Sequence, residues 1–259
     1  MITIGIDIGS LTTKAVVLRD RQVAGWSLTS TGDSSGEAAR RVTDEALKDT
    51  GITLSDVASI LATGVGRSEA DIAQQQATEV ICAAKGAQFL SPEIKGVIDM
   101  GAESTQAVRL DNRGDVMDFA LNDKCAAGTG IFLDAMGKVM GVKVGEMGPL
   151  SLKSTTEVNI TSTCVVFAES EVVSQVHRGI PKVDILKGIH KSIATRVYGL
   201  AGRVGLNGDN MAIGGLAMNI GVVTCLEELM KEKLIIPDNP QTVTALGAAI
   251  VAAERGVVT

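Results

Sequence analysis

"IDIGSLTTKAVVL" (residues 6–18) and "IDMGAESTQAVRL" (residues 98–110) can be laid over each other without a gap. Seven of the thirteen positions agree: Ile6/Ile98, Asp7/Asp99, Gly9/Gly101, Thr13/Thr105, Ala15/Ala107, Val16/Val108 and Leu18/Leu110. Each stretch reads as a buried apolar strand, a tight turn and a second strand. The aspartate ends the first strand, and the glycine lets the backbone turn sharply. Hydroxyls and backbone N–H groups in such a turn can face an anion. A carboxylate that close to an anion needs a bridging cation, for which Mg²⁺ with its waters is suited. Two such hairpins facing each other across a cleft would hold a polyphosphate from both sides. The plainer reading, that Asp7 and Asp99 are only turn residues, explains one hairpin better than it explains a matched pair.

Outside the repeat, the chain fits a duplicated α/β protein of two lobes. Its 259 residues suffice for two cores. Aromatic residues are only 2%, so those cores must be built from Val, Ile, Leu, Ala and Met. A net charge of −6 without a Lys/Arg cluster argues against a nucleic-acid footprint. No run of 18 apolar residues and no basic leader is present, so a cytoplasmic protein without a membrane partner is expected. There, the four cysteines are reduced, buried or metal-bound rather than disulfide-paired. The repeat divides the chain into lobes at 1–95 and 96–259, with the final Ala-rich helix, 242–255, expected to pack back on the N-terminal lobe. Helices are expected over 34–51, 70–90, 130–140 and 183–205. The stretch 57–67 reads as a strand entering a glycine turn, 158–179 as a strand followed by a helix, and 210–232 as a strand, a Gly-Gly turn and a helix. Strands alternating with helices argue for α/β.

Two cysteines stand apart. Cys125 lies in "NDKCAAGTG" (122–130), directly before a helix, and Cys164 in "TSTCVVFAES" (161–170), at the start of another. A helix N-terminus carries partial positive charge and free N–H groups, which favour a thiolate and can bond to cluster sulfides. The spacing of 39 residues (164 − 125) matches no zinc motif. Three readings follow: small buried residues, ligands of a four-thiolate site completed by a second chain on a two-fold axis, or a nucleophilic thiol. Cys82 and Cys225 fall on apolar helical faces and read as core. His177 and His190 sit on amphipathic helices and read as surface or core rather than as catalysts.

Taken in order, "GIDIGSLTTK", "ATGVGR", "NDKCAAGTG" with "FLD" after it, "TSTCVVFAESEV", "GIHKSIATRV", "GGLAMN" and "ALGAAI" resemble the activators of 2-hydroxyacyl-CoA dehydratases and the related ATPase subunits of benzoyl-CoA reductase. The likeness runs from near residue 4 to near residue 250. It implies a duplicated acetate-kinase/Hsp70/actin-like ATPase fold with ATP and Mg²⁺ between the lobes. It also implies a homodimer sharing one [4Fe–4S] cluster, held by Cys125 and Cys164 of each chain. An electron would come from a flavodoxin or ferredoxin and pass to an acyl-CoA dehydratase or reductase component. Carried over position by position, Asp7, Gly9, Ser10, Thr12, Thr13 and Lys14 resemble the first phosphate loop. Asp99, Gly101, Ala102 and Glu103 resemble the second. Gly128, Thr129 and Gly130 resemble the segment between cluster and nucleotide, and Glu169 a glutamate near the nucleotide. Gly214, Gly215 and Asn219 resemble the adenosine side, and Ala245 and Gly247 the closing segment by the base. Asp7, Asp99 and Glu169 take the catalytic roles.

One stretch departs from that pattern. Typical activators carry Asp-Ile-Gly-Gly-Gln-Asp in the second loop, where this chain has "DMGAES", placing Ala102, Glu103 and Ser104 beside the anion. Two other functions fit the same frame. One is an ATPase subunit of a benzoyl-CoA-reductase-type complex. The other is a small-molecule kinase on the same fold, for which Asp123 would be the base.

Overall fold

The computed structural model describes residues 1–122, 129–156, 158–161 and 164–256. Two compact units are present. The first comprises Met1–Val97, Leu110–Met117 and Pro237–Thr259; the second comprises Ile98–Arg109 and Asp118–Ile236.

The first unit is built on β1 (Ile2–Ile8), β2 (Thr12–Arg19), β3 (Gln22–Ser30), α1 (Ser35–Leu47), β4 (Ser59–Thr63), β5 (Gln75–Gln76) and α2 (Glu79–Leu90). Its sheet runs β3-β2-β1-β4-β5, with β1 antiparallel to β2 and parallel to β4. Strand alternation decides which helix covers which face. Ala15 and Val17 join Ile4, Ile6 and Ile8 against α1 residues such as Ala39 and Val42. Val16 and Leu18 point the other way, onto Ala245, Leu246, Ala249 and Ile250 of the last helix of the chain. That close approach needs Gly5 on β1, because a Cβ there would stand 2.0 Å from the carbonyl oxygen of Ala245.

The second unit carries the greater part of β6 (Gly96–Met100), β7 (Thr105–Leu110) and β8 (Val116–Asn122), and the whole of α3 (Gly130–Met140), α4 (Val144–Ser151), α5 (Val165–His177), α6 (Lys182–Arg203), β9 (Asn210–Ile213) and α7 (Ile220–Met230). The last element, α8 (Val243–Arg255), returns to the first unit. The second sheet runs β8-β7-β6-β9, the counterpart of β3-β2-β1-β4. Its core joins Ile98, Met100 and Ala107 to Phe132, Leu133 and Met136 of α3 and to Ile189 and Ile193 of α6. No helix among the described residues is long and apolar enough to cross a membrane.

Three elements differ from the sequence reading. The helix expected over 70–90 begins only at Glu79, because Gln75 and Gln76 pair with Leu61 and Ala62 as a short parallel strand. The helix over 34–51 stops at Leu47, and Asp49 turns to φ +64° before Gly51 is reached. Residues 158–161 belong to no sheet.

Candidate functional site

The two hairpin turns repeat down to single hydrogen bonds. Gly9 N–H donates to the Thr12 carbonyl at 3.1 Å, and Gly101 N–H to the Ser104 carbonyl at 2.9 Å. Lys14 Nζ lies 3.2 Å from Asp7 Oδ2; at the matching position, Gln106 Nε2 lies 3.2 Å from Asp99 Oδ2. The strand beside each turn ends in a left-handed glycine, Gly64 at φ +91° and Gly214 at φ +85°. A Cβ at Gly64 would stand 2.3 Å from the Ile8 carbonyl oxygen, and one at Gly214 would stand 2.5 Å from that of Met100. Both aspartates therefore sit at the end of a buried strand, beside a glycine that leaves the backbone bare.

Within the first turn, Gly9, Ser10 and Thr12 are half-buried. Thr13 is buried, and its hydroxyl is shared with that of Thr31, 2.9 Å away. The Thr31 hydroxyl in turn donates to the Gly9 carbonyl at 2.7 Å. Thr13 thus braces the loop from beneath, and Lys14 crosses it to reach Asp7. In the second turn, Gly101 and Ala102 are half-buried and Glu103 is exposed. Their carbonyls have a second role. Gly130 N–H donates to Gly101 O at 3.0 Å and Ile131 N–H to Ala102 O at 2.9 Å, so the second loop caps the N-terminus of α3. Gly130 permits this contact, since a Cβ there would already stand 3.3 Å from the Ala102 Cα. Thr129, the N-cap residue, is fully buried.

From α3, packing leads to α5: Phe132, Leu133 and Met136 share a core with Ala168 and Val172. Cys164 is the N-cap of α5, and its thiol is free and exposed. Val166 and Phe167, two and three residues further on, are 66% and 68% exposed. Glu169 is exposed on the same helix. Glu171, not singled out from the sequence, holds the preceding segment, accepting from Thr161 N–H at 3.1 and 3.0 Å. Cys125, Gly128 and Asp123 lie outside the described residues. Among the described residues, no three His, Cys, Asp or Glu side chains converge to hold a metal ion. Cys82 and Cys225 are buried; desolvation pushes the Cys82 thiol up to about 12 and raises that of Cys225, keeping both protonated and inert.

The remaining positions divide by role. Gly214 and Gly215 form the turn after β9, and Asn219 caps α7, its Oδ1 accepting from Gly221 N–H at 3.0 Å and Val222 N–H at 3.1 Å. Ala245 and Gly247 are buried in α8, where a Cβ at Gly247 would stand 1.7 Å from the Cys82 carbonyl oxygen. Small side chains there let α8 lie directly on α2 and β1.

Duplicated sheets, paired Asp-x-Gly turns and glycine-ended neighbouring strands define an α/β protein of the actin-like ATPase class. A glucokinase of the ROK family from Streptomyces griseus shares this fold, with a TM-score of 0.59 over 98% of this chain and 100% of that chain at 13% identity. The chain belongs to the BadF/BadG/BcrA/BcrD ATPase family, whose profile matches residues 4–252. It is 42% identical to the activator of lactoyl-CoA dehydratase from Anaerotignum propionicum over 98% of each chain. It is 43% identical to the (R)-2-hydroxyglutaryl-CoA dehydratase activating ATPase of Acidaminococcus fermentans over 98% of this chain and 97% of that one. Identity to a benzoyl-CoA reductase subunit of Thauera aromatica is 34%, over 98% of this chain and 94% of that one. Among solved structures, the activator of the 2-hydroxyisocaproyl-CoA dehydratase from Clostridium difficile with bound ADPNP is similar at a TM-score of 0.93 and 39% identity, covering 98% of this chain and 95% of that one.

Proposed function

We propose that the chain is an ATP-dependent activator that transfers an electron from a dimer-bridging [4Fe–4S] cluster to a 2-hydroxyacyl-CoA dehydratase. The observation that carries this reading is the gradient of likeness, 42% and 43% to two activators against 34% to the benzoyl-CoA reductase subunit, each over nearly the whole chain. Asp7, Gly9, Ser10, Thr12, Thr13 and Lys14 form one phosphate loop, and Asp99, Gly101, Ala102 and Glu103 the other. Asp7 and Asp99 are the carboxylates that would serve Mg²⁺, a cation that would offset the charge of the phosphates. Gly214, Gly215 and Asn219 serve the adenosine side.

The residues present fit the cluster. Cys164 offers an exposed thiol at a helix N-terminus, and Val166 and Phe167 offer apolar surface for a second copy. Two thiols per chain, Cys125 and Cys164, make four in a homodimer. When bound, the cluster supplies a one-electron carrier. The protein's part is mechanical: movement of the 101–102 loop pulls on the Gly130 and Ile131 amides, and α3 passes it to α5 and Cys164. A flavodoxin or ferredoxin is the fitting electron donor.

Anaerobic purification and reconstitution with iron and sulfide, followed by absorption and EPR spectra with and without MgATP, test the reading. About four irons per dimer are expected. Cys125→Ala and Cys164→Ala should each abolish the cluster, and Cys82→Ala should leave it intact. A colourless, iron-free protein would sink the proposal. The likeness to the Thauera reductase component favours a second reading, a subunit of such a reductase; a stable heteromeric assembly in anaerobic size analysis would select it over a free dimer.

A further inference from the structure

His190 is fully buried on α6, and neither of its ring nitrogens has a hydrogen-bond partner among the described residues. A neutral imidazole carries one donor and one acceptor, and burying both unmet costs free energy that an apolar residue of the same size would not. Burial lowers its pKa to about 4, aided by the charge of Lys187, so the ring is neutral near pH 7. A Cβ at Gly221, in the first turn of α7, would stand 2.5 Å from His190 Nδ1 and 2.6 Å from Ser151 Oγ. The two polar atoms thus converge on one spot of α7. At present the Ser151 hydroxyl donates elsewhere, to the Gly148 carbonyl one turn back on α4, at 2.8 Å.

Gly148 and Asn219 connect this cluster to an open cavity. A Cβ at Gly148 would stand 3.0 Å from Asn219 Oδ1, so α4 presses directly on the cap of α7. Gly148, Gly215, Met218 and Asn219 line a cavity of about 190 Å³. A body entering it presses on the carbonyl-bearing turn that holds the Ser151 hydroxyl. A serine side chain has three staggered positions, and moving between them is a small change.

We propose that His190 is a positioning residue for the 214–219 turn. When a nucleotide's base side fills the cavity, the Ser151 hydroxyl leaves Gly148 and donates to His190 Nδ1, locking α4, α6 and the first turn of α7 together. No bond other than the hydrogen bond changes, and Nε2 keeps the ring proton. The proposal rests on the reading that this turn serves the adenosine side.

The chain has two histidines, so in the His177→Gln variant His190 is the sole imidazole. Its ring nitrogens are followed by ¹⁵N NMR while ADPNP with Mg²⁺ is added, and binding is measured in parallel by calorimetry. The expected result is a shift of the Nδ1 resonance toward a hydrogen-bonded acceptor, saturating with the calorimetric curve and absent in His177→Gln/Ser151→Ala. His190→Phe should raise the KM for ATP more than it lowers kcat, and His190→Gln should restore part of the loss. Nucleotide binding with an unmoved Nδ1 resonance, or an equal shift without the Ser151 hydroxyl, overturns the latch alone. No calorimetric binding at all overturns the nucleotide reading and the latch with it.

Discussion

Around Asp7 an ammonium arrives, Lys14 Nζ at 3.2 Å; around Asp99 the matching position brings an amide, Gln106 Nε2, at the same distance. The backbone around the two carboxylates repeats, from the Gly9 and Gly101 turn bonds to the left-handed Gly64 and Gly214. Duplication has kept the shape while this contact has changed in charge. The first turn offers a lysine that can turn from its carboxylate to an incoming anion. The second offers a neutral clamp and spends its loop carbonyls on the start of α3. On the function proposed above, the first hairpin holds the anion and the second transmits.

The shared part breaks first. Gly64→Ala and Gly214→Ala each force a side chain into positive φ and within 2.5 Å of a strand carbonyl. Strain and overpacking together should cost about 4 kcal/mol in either unit. Urea unfolding checks this, and a gap of more than about 2 kcal/mol between the two variants would end the claim that the turns are equivalent. The charged part comes next. Lys14→Met leaves Asp7, only 8% exposed, without its ammonium, at a cost of about 2–3 kcal/mol, below the range for fully buried pairs. Gln106→Met removes only an amide hydrogen bond and should cost about 1–2 kcal/mol. Equal losses in the two unfolding curves would contradict the assigned asymmetry.

pH separates the units further, because both histidines lie in the second. His190 has a folded pKa of about 4 against an ordinary 6.5, so the unfolded chain binds the proton first. Stability from this group is fully present above pH 6.5 and is lost as pH falls toward 4. Near pH 5 the loss should be about 2 kcal/mol. His190→Gln should flatten the profile between pH 7 and 5; an unchanged slope would show that the ring is not buried neutral in solution.

How much of this was legible in the sequence follows from what each residue contributes locally. The hairpins could be read because their turn residues are the turn: Asp, Gly and the alternating apolar pattern act where they stand. The glycine after β4 and the Gly-Gly after β9 could be read for the same reason. By contrast, β8 was invisible, since Met117, Phe119 and Leu121 are exposed on an edge strand and spoil the expected pattern. Helix α4 was hidden by Gly145, Gly148 and Pro149, which propensity scores against a helix but which tertiary packing tolerates. Residues 70–78 looked helical because their local composition suits a helix, and pairing with β4 overrode it. The cap of α3 by the Gly101 and Ala102 carbonyls is a contact between backbone atoms distant in sequence, and side-chain identity carries no trace of it.

Glu103 is the finest point of the comparison. It occupies the tip of the second hairpin, where the first has Leu11, and both side chains are exposed. A carboxylate there adds a negative charge beside a turn whose N–H groups are proposed to face phosphate. Exposed charges act through water, so the repulsion is small and fades with salt. Glu103→Gln should therefore tighten binding of metal-free ADPNP by only about two- to threefold at low ionic strength, and less at high salt. Leu11→Gln in the first hairpin should change affinity little, since no charge is removed. The sign decides the matter. If Glu103→Gln weakens binding, and does so most when Mg²⁺ is present, the carboxylate is working through the cation rather than against the anion. The second hairpin would then hold ligand as actively as the first, and the division into holder and transmitter would fail at that residue.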